Sequence, residues 1–192
     1  HELRERVPQG SQPGQGHRRN QEDDRRTRYL SVVRPHPFFD YREVPGGDGW
    51  YSWNPHDKTR FNAVVMGDLV TRREPGPAGD ACRLRMVPEH RHTNLQGMLH
   101  GATILGLIDI ALFATVHVLG DGEPGPALTL ELSTQFVGAG DPEKPLDALS
   151  EIVRETGRMV FVRGQVVQED SVVASYSGII RKRKHSGSEP SS

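Results

Sequence analysis

The chain has 192 residues, of which 34% are hydrophobic, and its 24 basic and 25 acidic residues give a formal net charge of −1. This balance argues against a nucleic-acid-binding protein, because binding a polyanion usually requires a basic excess. A single cysteine, Cys82, excludes an internal disulfide framework and a cysteine-rich metal site, and we expect a reducing, cytoplasmic compartment.

The two ends of the chain are predicted to be disordered tails. Residues 1–28 hold seven arginines but only two aliphatic residues, so they cannot bury enough surface to offset the entropy of ordering. Residues 185–192 are predicted to form the second tail. Residues 29–60 concentrate aromatic rings among prolines and glycines, which predicts an irregular extension packed on a neighbouring surface. A lid of aromatic side chains over a ligand is the alternative.

A regular pattern of secondary structure follows the extension, in the order of two strands, one long helix and four strands. The strands are predicted over 61–70, 82–86, 128–132, 147–155, 159–168 and 171–183, and the helix over about 100–119. In the third strand, Leu128, Leu130 and Leu132 form one row by alternation. Short links at 156–157 and 169–170 favour antiparallel neighbours. We therefore expect an α+β fold in which an antiparallel sheet of about six strands wraps around one central helix.

The predicted helix is apolar on all sides, which indicates that it is buried. Asp109 lies in its middle, and burying a carboxylate is costly unless the group is hydrogen-bonded, lines a wet cavity or takes up a proton. The same carboxylate, together with the lack of basic flanks, argues against a membrane-spanning segment. Asp109 is either bonded to backbone donors of a neighbouring element or part of a site.

The start of the helix has the residue types of an oxyanion hole. The first amides of a helix lack partners within it, and Gly101 leaves its N–H open to an anionic oxygen. Asn94 can add an amide donor. His100 and Asp109 are about 13 Å apart along a helix and point to opposite faces. A site that uses both ends must therefore combine two chains, which predicts a dimer with active sites at its interface.

A metal site is the weaker interpretation of this region. Glu89, His90, His92 and His100 include a His-x-His pair that could chelate from one side of a strand. Because Pro88 places these residues in a loop and no further ligand pattern accompanies them, we expect no metal.

The segment from Asn94 to Asp109, with Gly97, His100 and Gly101 between them, resembles the hotdog-fold acyl-CoA thioesterases of the PaaI type, in the 4-hydroxybenzoyl-CoA thioesterase superfamily. That family has an Asn, a Gly three residues later, a His-Gly-Gly, and an Asp nine residues after the His. The resemblance implies a hotdog domain over 61–184. Ala102 replaces the second Gly of the pattern.

The resemblance also implies the roles of the site residues. The Gly101 N–H and the Asn94 side chain would hold the thioester oxygen, and Asp109 of the other subunit would act as general base or nucleophile. Thr129 would orient the water. His100 would brace Asn94 or contact the thioester.

The coenzyme A arm of the substrate implies a second set of residues. Arg158 corresponds to a basic residue that contacts the nucleotide in the family. The further binding residues expected are Gly157, Met159, Phe136, Val137 and Gly138. No separate cofactor is implied, since coenzyme A belongs to the substrate, and a homo-oligomer is expected, as a tetramer. A non-catalytic hotdog module that binds acyl-CoA or scaffolds a dimer is the alternative function.

Overall fold

The computed structural model describes residues 36–120 and 126–182, so both predicted tails, 1–28 and 185–192, lie outside the described residues. The strands and the helix have the following bounds: β1 Phe39–Asp40, β2 Tyr51–Ser52, β3 Asn54–Pro55, β4 Leu69–Gly76, β5 Gly79–Met86, α1 Gly101–Leu119, β6 Ala127–Phe136, β7 Leu146–Glu155, β8 Met159–Gln168 and β9 Ser171–Lys182. A π-helical turn spans Asn62–Met66, and a 3-10 turn spans His90–His92.

Seven strands form one antiparallel sheet in the order β2-β4-β5-β7-β8-β9-β6, and β1 pairs separately with β3. The expected α+β fold, an antiparallel sheet wrapped around one helix, is confirmed. The sheet has seven strands rather than six because the two-residue β2 comes from the aromatic extension and pairs with β4. In this order β2 and β6 are the two edge strands.

The helix α1 forms the centre of the core. Leu107, Ile108 and Leu112 are fully buried, and they pack with inward-facing residues of the sheet. By length and composition alone α1 could cross a membrane, but 61% of its most apolar window is buried inside the fold. Its apolar surface is therefore explained by core packing.

The prediction of a strand over 61–70 was wrong for most of that segment. Asn62–Met66 forms a π-helical turn, which ends at Gly67 with a φ of +75°, and the strand begins at Leu69. A short apolar run does not distinguish strand from helix by periodicity. This turn places Met66 against Gly106 of α1, the helix that also carries Asp109.

Strand β6 corrects a second expectation, the single row of leucines. Leu128 and Leu130 are half exposed, while Leu132 packs against the core. The register shifts between Thr129 and Glu131, which is a β-bulge. A bulge adds one residue to one strand and so reverses which positions face the core beyond it. Thr129 consequently faces α1.

The described part of the aromatic extension is anchored on the domain. Trp53 is almost fully buried, and its backbone N–H donates to the Leu69 carbonyl at 2.8 Å. Phe39 stacks on the Trp53 ring at 4.6 Å, and His117 of α1 lies 5.2 Å from the same ring. The expected packing on a neighbouring surface thus involves the end of the central helix.

An ionic network lies on the face of the sheet opposite α1. Asp147, whose side chain is 6% exposed, accepts hydrogen bonds from Arg83 and Arg85, and Arg83 also donates to Glu74. The Trp50 ring lies 4.8 Å from the Arg85 guanidinium. These contacts tie β4, β5 and β7 together on that face.

Candidate active site

The first residues of α1 present an open backbone donor. His100 is the N-cap, and its Nδ1 accepts from the Ala102 N–H at 2.9 Å. The Gly101 N–H has no acceptor within the described residues, and the edge of the Phe136 ring lies 3.5 Å from where a Cβ on Gly101 would stand. The helix start therefore offers a donor with a partial positive charge.

His100 differs from its expected role in one respect. It does not hydrogen-bond to Asn94; its ring nitrogen caps the helix instead. A capping side chain has to accept a backbone N–H, and this fixes the direction of the ring. The ring remains exposed, so a contact with the thioester stays a prediction.

Asn94 is held in its loop by hydrogen bonds to its side-chain amide oxygen. Its Oδ1 accepts from the backbone N–H groups of Gln96 at 2.9 Å and Met98 at 3.1 Å. Gly97 occupies the tight part of this loop with a φ of +79°, which favours glycine. Since the oxygen is used inside the loop, the Asn94 Nδ2 group is left as a donor, and no acceptor for it exists in the described part of the chain.

Asp109 receives a side-chain hydrogen bond from the strand beside it. Thr129 Oγ1 donates to Asp109 Oδ1 at 2.7 Å, and both residues are half-buried. The interpretation of Asp109 as a group bonded to backbone donors does not match this arrangement among the described residues. One carboxylate oxygen is oriented by a hydroxyl, as a positioned base or nucleophile requires.

Asp109 lines a cavity of about 420 Å³. The other lining residues are His36, Phe38, Phe39, Trp53, Asn62, Ile110, Phe113, Val116, Pro126, Ala127, Leu128 and Ile180. Most of this wall is aromatic or aliphatic. Burial lowers the pKa of His36 and nearby His56 lowers it further, so the imidazole is neutral at pH 7. The cavity is thus an apolar chamber with a carboxylate in its wall.

Within one chain, the carboxylate and the open helix start do not meet. Gly101 and Asp109 are eight residues apart on α1, which corresponds to about 12 Å. Strand β6 shows the same division, because Thr129 lies near its beginning and Phe136, beside Gly101, is its last residue. One end of β6 therefore lies beside the carboxylate of Asp109, and the other end lies beside the expected oxyanion donor of Gly101.

The residues expected to bind coenzyme A are divided in the same way. Gly157, Arg158 and Met159 form the β7–β8 hairpin; the Arg158 carbonyl accepts from the Lys182 N–H, and Lys182 pairs with Ala127 at the start of β6. Arg158 is exposed and makes no ion pair with any other described residue. The second group lies at the far end of β6: Phe136, Val137 and Gly138.

His92 has a structural role. Its Nδ1 accepts from the Glu89 N–H at 2.8 Å, and its Nε2 lies 2.7 Å from the Val65 carbonyl. Both ring nitrogens are therefore used to join the 3-10 turn to the π-helical turn. The residues described contain no cluster of three potential metal ligands.

Sequence reasoning missed the contribution of residues 36–39 to the site. His36, Phe38 and Phe39 line the chamber next to Asp109, although they are about seventy positions away in the sequence. The density of aromatic residues in the extension was the available signal, and the alternative of an aromatic lid follows from it.

Comparison with known proteins agrees with this architecture. A family model described as "Thioesterase superfamily" matches residues 96–175. A comparison with curated proteins finds no match. Similar solved structures include a mutant of the phenylacetic acid degradation protein PaaI from Thermus thermophilus, with 21% identity, a TM-score of 0.51, and coverage of 64% of this chain and 98% of that one.

Two further structures are similar to the same extent. The E. coli PaaI protein has 15% identity and a TM-score of 0.55, covering 66% of this chain and 87% of that one. Zebrafish thioesterase superfamily member 2 has 17% identity and a TM-score of 0.55, covering 66% and 89%. At these identities the likeness shows a shared fold.

The fold is therefore a hotdog fold, with the sheet wrapped around α1. The segment that matches the thioesterase superfamily model, residues 96–175, covers α1 and the strands that follow it, up to residue 175. The predicted resemblance to hotdog-fold thioesterases of the PaaI type is thereby confirmed.

Proposed function

We propose that this protein hydrolyses an acyl-CoA thioester to the free acid and coenzyme A. The observation that carries the proposal is the Thr129–Asp109 hydrogen bond of 2.7 Å in the wall of an apolar chamber. The hydroxyl of Thr129 orients the Asp109 carboxylate so that it can act as a base. The apolar cavity beside it can bind the acyl group of the substrate. The family match independently supports thioester chemistry.

In the reaction, Asp109 acts on water beside the thioester carbonyl. As a general base it takes a proton while the water oxygen bonds to the carbonyl carbon. When the C–S bond breaks, the proton passes to the leaving sulfur, and the products are a carboxylic acid and the free thiol. Thr129 keeps Asp109 in place. As a nucleophile, Asp109 would attack the thioester carbonyl carbon, the C–S bond would break to release the CoA thiolate, and an anhydride would form. Water that opens this anhydride at the Asp109 carbonyl carbon gives the free acid, and a single turnover in ¹⁸O-labelled water would then label the Asp109 carboxylate.

The charge that develops on the carbonyl oxygen requires donors that Asp109 does not have beside it in its own chain. The Gly101 N–H and the Asn94 Nδ2 of a second protomer supply them. Because β6 is an edge strand, a two-fold axis can pair it antiparallel with its copy, and this brings the Thr129 end of one strand to the Phe136 end of the other. The half-exposed Leu128 and Leu130 favour such a contact.

The coenzyme A arm lies toward Arg158 in this proposal. An exposed guanidinium without an ion pair among the described residues is suited to a phosphate, because its planar donors match phosphate oxygens. Arg158→Ala is expected to raise KM for the CoA thioester while leaving kcat unchanged. For an acyl-pantetheine thioester, which lacks the nucleotide, the same substitution is expected to have no effect.

The experiment that tests the proposal is hydrolysis of a panel of acyl-CoA thioesters by the wild type and by Asp109→Asn. Loss of the carboxylate is expected to lower kcat at least 100-fold, on the order of the usual contribution of a general base. Asp170→Asn, an exposed carboxylate in the β8–β9 turn, is the matched control and should retain full activity. Equal catalysed rates for wild type and Asp109→Asn would remove Asp109 from the mechanism. Hydrolysis by the wild type no faster than the uncatalysed reaction would support the non-catalytic alternative of acyl-CoA binding or scaffolding.

A further inference from the structure

One wall of the chamber beside Asp109 comes from outside the part of the chain that matches the thioesterase family. The matched residues are 96–175, whereas His36, Phe38, Phe39 and Trp53 belong to the aromatic extension. The extension therefore closes the chamber on a side that the matched segment does not supply.

The extension is fixed in place where it forms this wall. Strand β1 pairs with β3, with Phe39 opposite Pro55. The carbonyl of Phe38 accepts from the His56 N–H at 3.0 Å, and the N–H of Phe38 donates to the His36 Nδ1 at 3.1 Å. Both backbone groups of Phe38 are thus bonded, and its position is determined by the fold.

The side chain of Phe38 has a different environment from those of its neighbours. Phe39 and Trp53 stack on each other and belong to the core or pack against it, whereas Phe38 is 66% exposed although it lines the chamber. A large apolar side chain that contributes little to the core is free to be changed without loss of folding. Its ring therefore limits the volume of the chamber more than it stabilises the domain.

From these observations we infer that Phe38 is a specificity-determining residue, which sets the length of the apolar acyl group that the chamber accepts. The inference rests on the proposed thioester hydrolysis. A cavity of about 420 Å³ is on the scale of small-molecule sites. Asp109, Asn62 and a neutral His36 are the polar side chains in its wall, so the fitting substrate class is a bulky hydrocarbon acyl group rather than a charged one.

The test is a chain-length profile of kcat/KM, measured with acetyl-, hexanoyl-, dodecanoyl- and palmitoyl-CoA. Phe38→Ala enlarges the chamber and is expected to raise the ratio of long-chain to hexanoyl activity by about tenfold, whereas Phe38→Trp is expected to lower it by a similar factor. Succinyl-CoA should be a poor substrate.

Val153→Ala is the matched control, because Val153 is similarly exposed but lies on β7 and does not line the chamber. It should leave the profile unchanged. Profiles for both Phe38 variants within about twofold of wild type, while activity persists, would overturn the inference and leave the proposed function standing.

Binding separates failure of the inference from failure of the proposed function. S-alkyl-CoA thioethers cannot be hydrolysed, and calorimetry with the same chain lengths measures the chamber alone. If the wild type hydrolyses no thioester, but Phe38→Ala favours binding of long-chain thioethers and Phe38→Trp disfavours it, the role of Phe38 in the chamber holds and the proposed hydrolysis is refuted. If neither rate nor affinity depends on Phe38, the inference is refuted.

Discussion

The separation of Gly101 and Asp109 along α1, about 12 Å, predicts that each active site takes its oxyanion donors and its carboxylate from different chains. Two variants remove one group each. Asp109→Asn removes the carboxylate. Asn94→Asp keeps the oxygen that accepts from Gln96 and Met98, so the loop is preserved, but it removes the Nδ2 donor. Each variant alone is expected to lose about 100- to 1,000-fold in kcat.

Co-expression of the two variants, with different affinity tags, should restore activity. In a mixed dimer one site has both substitutions and the other has neither. Random association makes about half of the dimers mixed, and half of their sites are intact, so the mixture should show about one quarter of the wild-type kcat. Purification through both tags should raise this to about one half.

The reciprocal mixture supplies the control. When the chain carrying both substitutions is co-expressed with wild type, every site in a mixed dimer is broken if sites are shared, so about one quarter of the activity should remain. If each site lay within one chain, about one half should remain, and the first mixture should be no more active than its parents. That pair of results would refute the shared site.

Three further predictions concern single residues. Gly101→Ala should fold as well as wild type, because a Cβ there meets the Phe136 ring at an ordinary contact distance of 3.5 Å, and thermal denaturation checks this. Its kcat should fall, because the methyl group shields the Gly101 N–H from the thioester oxygen. An unchanged kcat in steady-state kinetics would remove Gly101 from the oxyanion hole. Asp147→Ala should lower the free energy of unfolding by about 3 kcal/mol, because Arg83 loses the Asp147 carboxylate, whose side chain is only 6% exposed, as an ion-pair partner. Denaturation in urea measures this change, and a change below about 1 kcal/mol would contradict the reasoning. Burial raises the pKa of the Cys82 thiol to about 11, so at about pH 8 Cys82 should react with a thiol reagent only after denaturation; rapid labelling of the folded protein would disprove this.

The pH dependence of stability follows from Glu74. Burial opposes its ionisation, but hydrogen bonds from Arg83 and Arg72 outweigh this and hold its pKa below the usual 4.5. A depressed folded-state pKa contributes stability above the unfolded-state pKa, and this contribution is lost as the pH falls through the folded-state value. The difference in unfolding free energy between wild type and Glu74→Gln should therefore be largest near pH 7 and shrink below pH 4.5. A difference that grew in acid would contradict the assignment.

Most of the architecture was determined by the sequence because its signals are local. The apolar run of α1, the turns at 156–157 and 169–170 and the alternation in β5 depend on residues within a few positions of one another. Asp109 was identified for the same reason, since a carboxylate in an apolar helix is visible without any tertiary contact. The oxyanion donors at the start of α1 follow from helix geometry.

The tertiary structure decided what depends on distant contacts. The bulge in β6 reverses the leucine row and turns Thr129 toward Asp109, and it is set by pairing with β9 rather than by the alternation of β6 itself. The π-helical turn at 62–66 is formed by a run that local periodicity assigns to a strand. Phe38 reaches the wall of the Asp109 chamber only because β1 pairs with β3 and packs on Trp53. Local patterns specify which elements form, but the packing of distant elements determines which side chains share a cavity.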